Sequence, residues 1–199
     1  MNANDNWENK VNWNELERRL KHYLIIREQI KTSENLFEDS VFRTNVNGFY
    51  KIRQRKKEFY DSYFTFMEDN KNNKNLTFEE TLRHFHSMFN RIEKSFSSKL
   101  IATINPELPV WDTVVMSNIE SQLIQKFSKN TDEIELCIDK YDAMKKWFFD
   151  TLNNSQGKDY IEKFDIRFPD CPITDIKKID LILWQTRPKK VKKTKPIPF

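Results

Sequence analysis

Residues 13–30 read WNELERRLKHYLIIREQI. Trp13, Leu16, Leu20, Tyr23, Leu24 and Ile30 recur at three- and four-residue steps, the spacing of one helix face, so the segment is a long amphipathic helix. The same period returns along the chain. Residues 36–42 predict a short helix, with NVNGFY around Gly48 as a break. From Phe49 the positions Ile52, Lys56, Phe59, Tyr63, Phe66 and Met67 share a side, and Lys51, Arg53, Arg55, Lys56 and Lys57 crowd the first half of that segment. The polar run at 68–75 is a solvated loop. Thr77 with Glu80 is a capping box that opens a helix through Leu82, Phe85, Met88 and Phe89.

Further helices are predicted over residues 93–104, ended by Asn105 and Pro106, and from an Asp112 N-cap to Gln125. Another runs from Thr131, with acidic residues suited to a helix N-terminus, to Leu152, where Gly157 closes the region. The last pieces are a helix at 158–164 and one capped by Thr174 that runs through Ile176, Ile179, Leu183 and Trp184. No stretch alternates apolar and polar residues for long enough to require a strand. The expected fold is a single all-α domain of about seven to nine helices over residues 1–186.

Composition agrees with that reading. The 199 residues fit one domain. Only 38% are hydrophobic and mean hydropathy is −0.79, yet there are 16 Phe, 6 Tyr and 5 Trp, so large rings supply the core volume. Two glycines are too few for the tight turns of a sandwich or barrel, or for a glycine-rich phosphate loop. No apolar run approaches the ~20 residues of a membrane span. The N-terminus has neither a basic nor an apolar leader region, and a cytoplasmic protein with no membrane partner is expected. Cys137 and Cys171 offer no thiolate cluster, and no cofactor is expected. His84 and His86 point to different helix faces, which does not suit a metal. Ser97 and Ser98 have no hydrolase motif around them.

The formal net charge is +4, but six positive charges lie in RPKKVKKTK at 187–195. Taking those six from +4 leaves −2 for the rest. The residues from 187 on read as a basic, Pro-containing disordered tail with nonspecific attraction for polyanions.

Residues 97–119, SSKLIATINPELPVWDTVVMSNI, have a particular order: a small polar pair, an apolar helix, an Asn-Pro break, Pro-apolar-aromatic-Asp, then another apolar helix. That order resembles the helix-hairpin-helix DNA glycosylase superfamily of endonuclease III-like proteins. The late segment KKIDLILWQ, 177–185, is similar to the closing helix of some diverged relatives. The resemblance implies a glycosylase-like helical core, DNA as partner, and Asp112 at the position of the catalytic aspartate. It places Lys94 or, in another register, Lys99 at the lysine nucleophile of the bifunctional members. The glycine hairpin that grips a phosphate in that family is replaced here by NRIEKSF at 90–96, and its iron–sulfur cysteines are absent.

If Asp112 is catalytic, its carboxylate would stabilise an oxocarbenium-like sugar and orient a nucleophile as an N-glycosidic bond breaks. Its other reading is a helix cap. Trp111 beside it would wall a base pocket or belong to the core. The cluster Lys51, Arg53, Arg55, Lys56 and Lys57 would contact phosphates or form an ordinary charged surface. The rings of Phe59, Tyr60, Tyr63, Phe64 and Phe66 would stack on bases or pack against neighbouring helices. Two functions remain open: a diverged glycosylase-like nucleic-acid protein, or a non-enzymatic helical module that keeps only the scaffold and works through a protein partner or self-association.

Overall fold

The structure is a computed structural model that describes residues 7–53, 55–123 and 132–186. Nine α-helices occur among them: α1 Trp13–Thr32, α2 Ser40–Tyr50, α3 Lys57–Asn70, α4 Phe78–Phe89, α5 Lys94–Ile104, α6 Thr113–Ile119, α7 Glu133–Asn153, α8 Ser155–Arg167 and α9 Asp175–Gln185. There is no strand among the described residues; an isolated antiparallel bridge joins Val11 to Thr186. The chain is therefore all-α. The basic tail, Gln125 and Thr131 lie outside the described residues.

Side-chain caps start most of these helices. Asn12 accepts from the Glu15 amide, Asp39 from Phe42, Asn154 from Gly157 and Thr174 from Lys177. Thr77 and Glu80 form the reciprocal box that their spacing predicts. Each such cap stabilises its helix by ~1 kcal/mol and sets its first residue.

Two helices are wrapped on all sides. In α5 residues 97–104 are all buried, and in α9 residues 176–185 are all buried. A helix with no solvent face has to sit in the middle of the molecule. Helices α1, α6, α7 and α8 pack on α9, while α3 and α4 pack on α5. Phe59 on α3 meets Tyr63, Phe85, Phe89 and Phe96 at centroid distances of 6.1, 6.0, 5.4 and 5.1 Å. Such pairs add ~0.5–1.5 kcal/mol each beyond the area they bury.

The region around Gly48 differs from its sequence reading. Residues 36–38 are a turn, because Asn35 Oδ1 accepts from the Phe37 and Glu38 amides. The helix starts after Asp39, runs through Gly48 and stops at Lys51, whose φ of 55° is left-handed. Residues 51–53 and 55–56 then lie outside any helix rather than in the first half of one. Buried Ile52 and the bond from Arg55 to Glu93 hold these residues against α5, and α3 begins only at Lys57.

Three later boundaries shift as well. The Asp112 helix ends at Ile119 and tightens into a 3-10 turn over Glu120–Gln122. The helix read at 158–164 extends over Ser155–Arg167. Gly157 is inside the first turn of α8 rather than a terminator. A Cβ there would lie 1.8 Å from the Thr151 carbonyl oxygen, so glycine is what permits the tight α7–α8 corner.

Candidate functional site

The loop at residues 109–112 is clamped to α5 by two serines. Ser98 Oγ accepts from the Trp111 amide at 2.9 Å, and Ser95 Oγ donates to the Trp111 carbonyl at 3.0 Å. The Tyr141 hydroxyl donates to the Pro109 carbonyl at 3.0 Å. These bonds carry Asp112 to the side of Lys99. Ser97 meanwhile turns back on its own helix, donating to the Glu93 carbonyl.

Lys99 is 7% exposed. Its ammonium donates to the Tyr50 carbonyl at 3.1 Å, and Arg19 Nη1 donates to the Phe49 carbonyl at 2.9 Å. Both acceptors are orphan carbonyls of the last turn of α2, where the helix dipole is negative and cations are favoured. Asp112 Oδ1 accepts from the Val114 amide at 2.8 Å and caps α6.

Lys99 and Asp112 line the same cavity of about 10 Å³, with Phe49, Tyr50, Val110, Val115, Asp180 and Trp184 around them. That is the room of about one water. Asp180, on α9, pairs through Oδ2 with Lys177 at 2.7 Å, and its buried Oδ1 has no partner. Burial lowers the Lys99 pKa, the Asp112 charge partly restores it, and Lys51 adds to the lowering. Burial pushes the Asp180 carboxyl up against the pull of Lys177. Four ionisable side chains from separate elements, Tyr50, Lys99, Asp112 and Asp180, thus line one small cavity, and burial also raises the Tyr50 pKa; such a cluster makes this the candidate chemical site.

The expected residues divide cleanly around this cavity. Asp112 and Lys99 come together there. Lys94 does not line it: its ammonium sits 5.1 Å from the centroid of the Trp111 ring. Trp111 is 7% exposed and its ring stacks on Phe78, with centroids 6.2 Å apart. The aromatic walls of the cavity are instead Trp184 and Phe49, which meet edge to face at 5.4 Å. Nothing local to Asp112 in the sequence announces Asp180, Trp184 or Tyr50.

Four of the five basic residues lie on the connection after α2, and Lys57 opens α3. Lys51, Arg53, Lys56 and Lys57 are exposed and Arg55 is half-buried. Lys51 reaches toward the cavity rim, 6.0 Å from the Trp184 ring. Lys57 pairs with Asp61, and Arg55 with Glu93. In the aromatic stripe, Phe59, Tyr63 and Phe64 are core residues, Tyr60 donates to the Ile52 carbonyl, and Phe66 stacks on His84. Exposed Ile25, Val41, Met88, Phe149 and Ile166 stand on five different helices. No helix is long and apolar enough to cross a membrane, among the described residues. No family model, no curated protein and no solved structure matches this chain.

Proposed function

We propose that the protein acts on nucleic acid at a glycosidic or abasic position, with Lys99 as the amine nucleophile and Asp112 as the carboxylate beside it. The observation that carries this reading is the shared cavity: the amine and the carboxylate face one space although 13 positions separate them in sequence. Burial raises the neutral fraction of the Lys99 amine at any given pH, which is what a nitrogen nucleophile needs. The amine would form a bond to the anomeric carbon as the base leaves with the electrons of the C–N bond. Asp112 would offset the positive charge that develops on the sugar. Exposed Lys51, Arg53 and Lys56 would hold phosphates at the rim.

A cavity of about 10 Å³ is far smaller than a sugar. The reaction therefore requires Lys99 to release the Tyr50 carbonyl and the wall at Trp184 to move. Borohydride reduction with an oligonucleotide duplex that contains an abasic site tests the reading. A covalent adduct that maps to Lys99, disappears in Lys99→Gln and persists in Lys94→Gln is the expected result. Absence of an adduct, or one indifferent to Lys99→Gln, overturns it.

One observation favours a second reading. Asp112 is occupied as a cap and Lys99 as a donor to α2, so both residues have structural work without any substrate. On that reading the chain is a helical binding module that keeps a glycosylase-like scaffold. It would work through a protein partner or self-association and form no adduct in the same assay.

A further inference from the structure

Two open grooves meet at Arg55. One, of about 570 Å³, has half-buried Phe89 as its floor, backed by buried Phe59, with Lys56, Arg91 and Glu58 among its sides. The other, of about 490 Å³, is lined by Ser40, Thr44, Asn47 and Tyr60 together with Arg43 and Lys57. The first offers the partly exposed Phe89 ring with cations at its edge. The second offers hydroxyls, an amide and cations, and no aliphatic side chain.

Arg55 separates them in a particular pose. Its guanidinium lies over the rings of Phe96 and Phe59, 4.8 and 5.3 Å from their centroids, and Nη2 donates to Glu93 at 2.9 Å. Its buried Nε–H has no acceptor, and in the second groove Asn47 Oδ1 has no donor. A buried donor without a partner carries a full desolvation cost that an arriving oxygen would relieve. The local carboxylates do not cancel this. Glu93 is held between Arg55 and Arg91, and Asp61 between Lys57 and Arg43. Arg53 and Lys56 have no ion pair among the described residues, leaving Glu58 as the acidic group on the rim of the first groove.

We propose that this surface seats a single-stranded nucleic acid, with one unpaired base on the Phe89 ring and the backbone crossing Arg55 into the polar groove. Alternation of a flat apolar seat with cationic polar surface matches the alternation of base and phosphate along one strand. A duplex hides its ring faces and reaches only the cations. The inference rests on nucleic acid being the ligand and names the strand form that this surface selects.

Fluorescence anisotropy of the full chain with labelled oligothymidylate, and with a duplex of equal length, tests it over a salt series. Oligothymidylate is expected to bind more tightly than duplex. Phe89→Leu keeps an apolar contact to Phe59 and Phe85 but removes the stacking plane; it should weaken oligothymidylate binding about tenfold and leave duplex binding unchanged. Lys56→Gln should weaken both and reduce the single-strand salt slope by about 0.7. The basic tail is the same in every variant, so its attraction cancels in these differences. Equal binding of the two forms, or no response to Phe89→Leu, overturns the seat even where Lys99 still traps an abasic site. Absence of any binding at low salt overturns it too, and trapping at Lys99 then decides separately whether the cavity acts on nucleic acid.

Discussion

Lys177 and Asp180 form an ion pair 2.7 Å long in the middle of the molecule, their side chains 0% and 5% exposed. Burial opposes the charge on Lys177, yet Asp180, with smaller help from Tyr50 and Tyr23, outweighs it and holds the amine's pKa above its ordinary value. The ammonium also lies 5.2 Å from the centroid of the Tyr23 ring. Removing one partner leaves the other buried without a counter-charge. Lys177→Met should lower the unfolding free energy by about 3–5 kcal/mol in urea denaturation, and Lys177→Met with Asp180→Leu should recover most of that loss. If the double variant is as unstable as the single, the pair is not the source of the effect.

The cap and the charge of Asp112 separate by substitution. Asparagine retains a side-chain acceptor for the Val114 amide, so Asp112→Asn should change stability little, while Asp112→Ala costs ~1 kcal/mol. Both remove the negative charge that raises the Lys99 pKa, so both should lower it further. NMR titration of isotope-labelled, dimethylated lysines reads this directly. An unmoved Lys99 resonance in both variants would show that the two groups do not communicate across the cavity.

The two glycines should respond in opposite directions. Gly48 is exposed within α2, and a Cβ there would meet only His22 Cε1, at 3.4 Å. Gly48→Ala should stabilise the protein by roughly 0.5–1 kcal/mol through helix propensity. Gly157→Ala drives a methyl into the Thr151 carbonyl and should destabilise by ~3 kcal/mol or more. Thermal unfolding of the two variants side by side makes the comparison.

Acid should weaken the fold through its histidines. His84 stacks on Phe66 with centroids 4.0 Å apart, its buried Nε2 has no partner, and burial lowers its pKa below the ordinary 6.5, with Asp69 opposing. The unfolded chain takes up a proton near pH 6.5 and the folded one resists it. The contribution is therefore present above pH 6.5 and lost as pH falls through the lowered folded value. His22 is lowered the same way. His84→Phe should reduce the difference in urea midpoint between about pH 7.5 and 5.5. An unchanged difference would assign the acid sensitivity elsewhere.

Where local chemistry decides the backbone, the helices were legible in the sequence. Thr77 with Glu80, Asp112 and Thr174 each mark a start that side-chain hydrogen bonds then make. The end of α2 was not legible, because the aromatic period runs unbroken from Phe49 to Met67 while the stop at Lys51 depends on partners on other helices. Arg19 and Lys99 hold the last carbonyls of α2, and Glu93 holds Arg55. The charged residues of α9 likewise suggest a wet face, and only their pairing across and along the helix lets Lys177, Lys178 and Asp180 be buried. Half of the candidate site followed the same rule. The likeness to the glycosylase superfamily pointed to Asp112 and, in one register, Lys99, whereas Asp180 and Trp184 arrive from far along the chain with no local sign of their destination.

The burial of α9 on every side bears on how the chain is made. It is the last of the described helices to be synthesised, yet α1, α6, α7 and α8 close upon it. A ribosome releases α1, α6, α7 and α8 before the helix they pack against has emerged. Folding therefore cannot advance helix by helix behind the exit tunnel. The emerging chain has to be kept from aggregating until residues 175–185 are free of the ribosome, and final collapse waits for them.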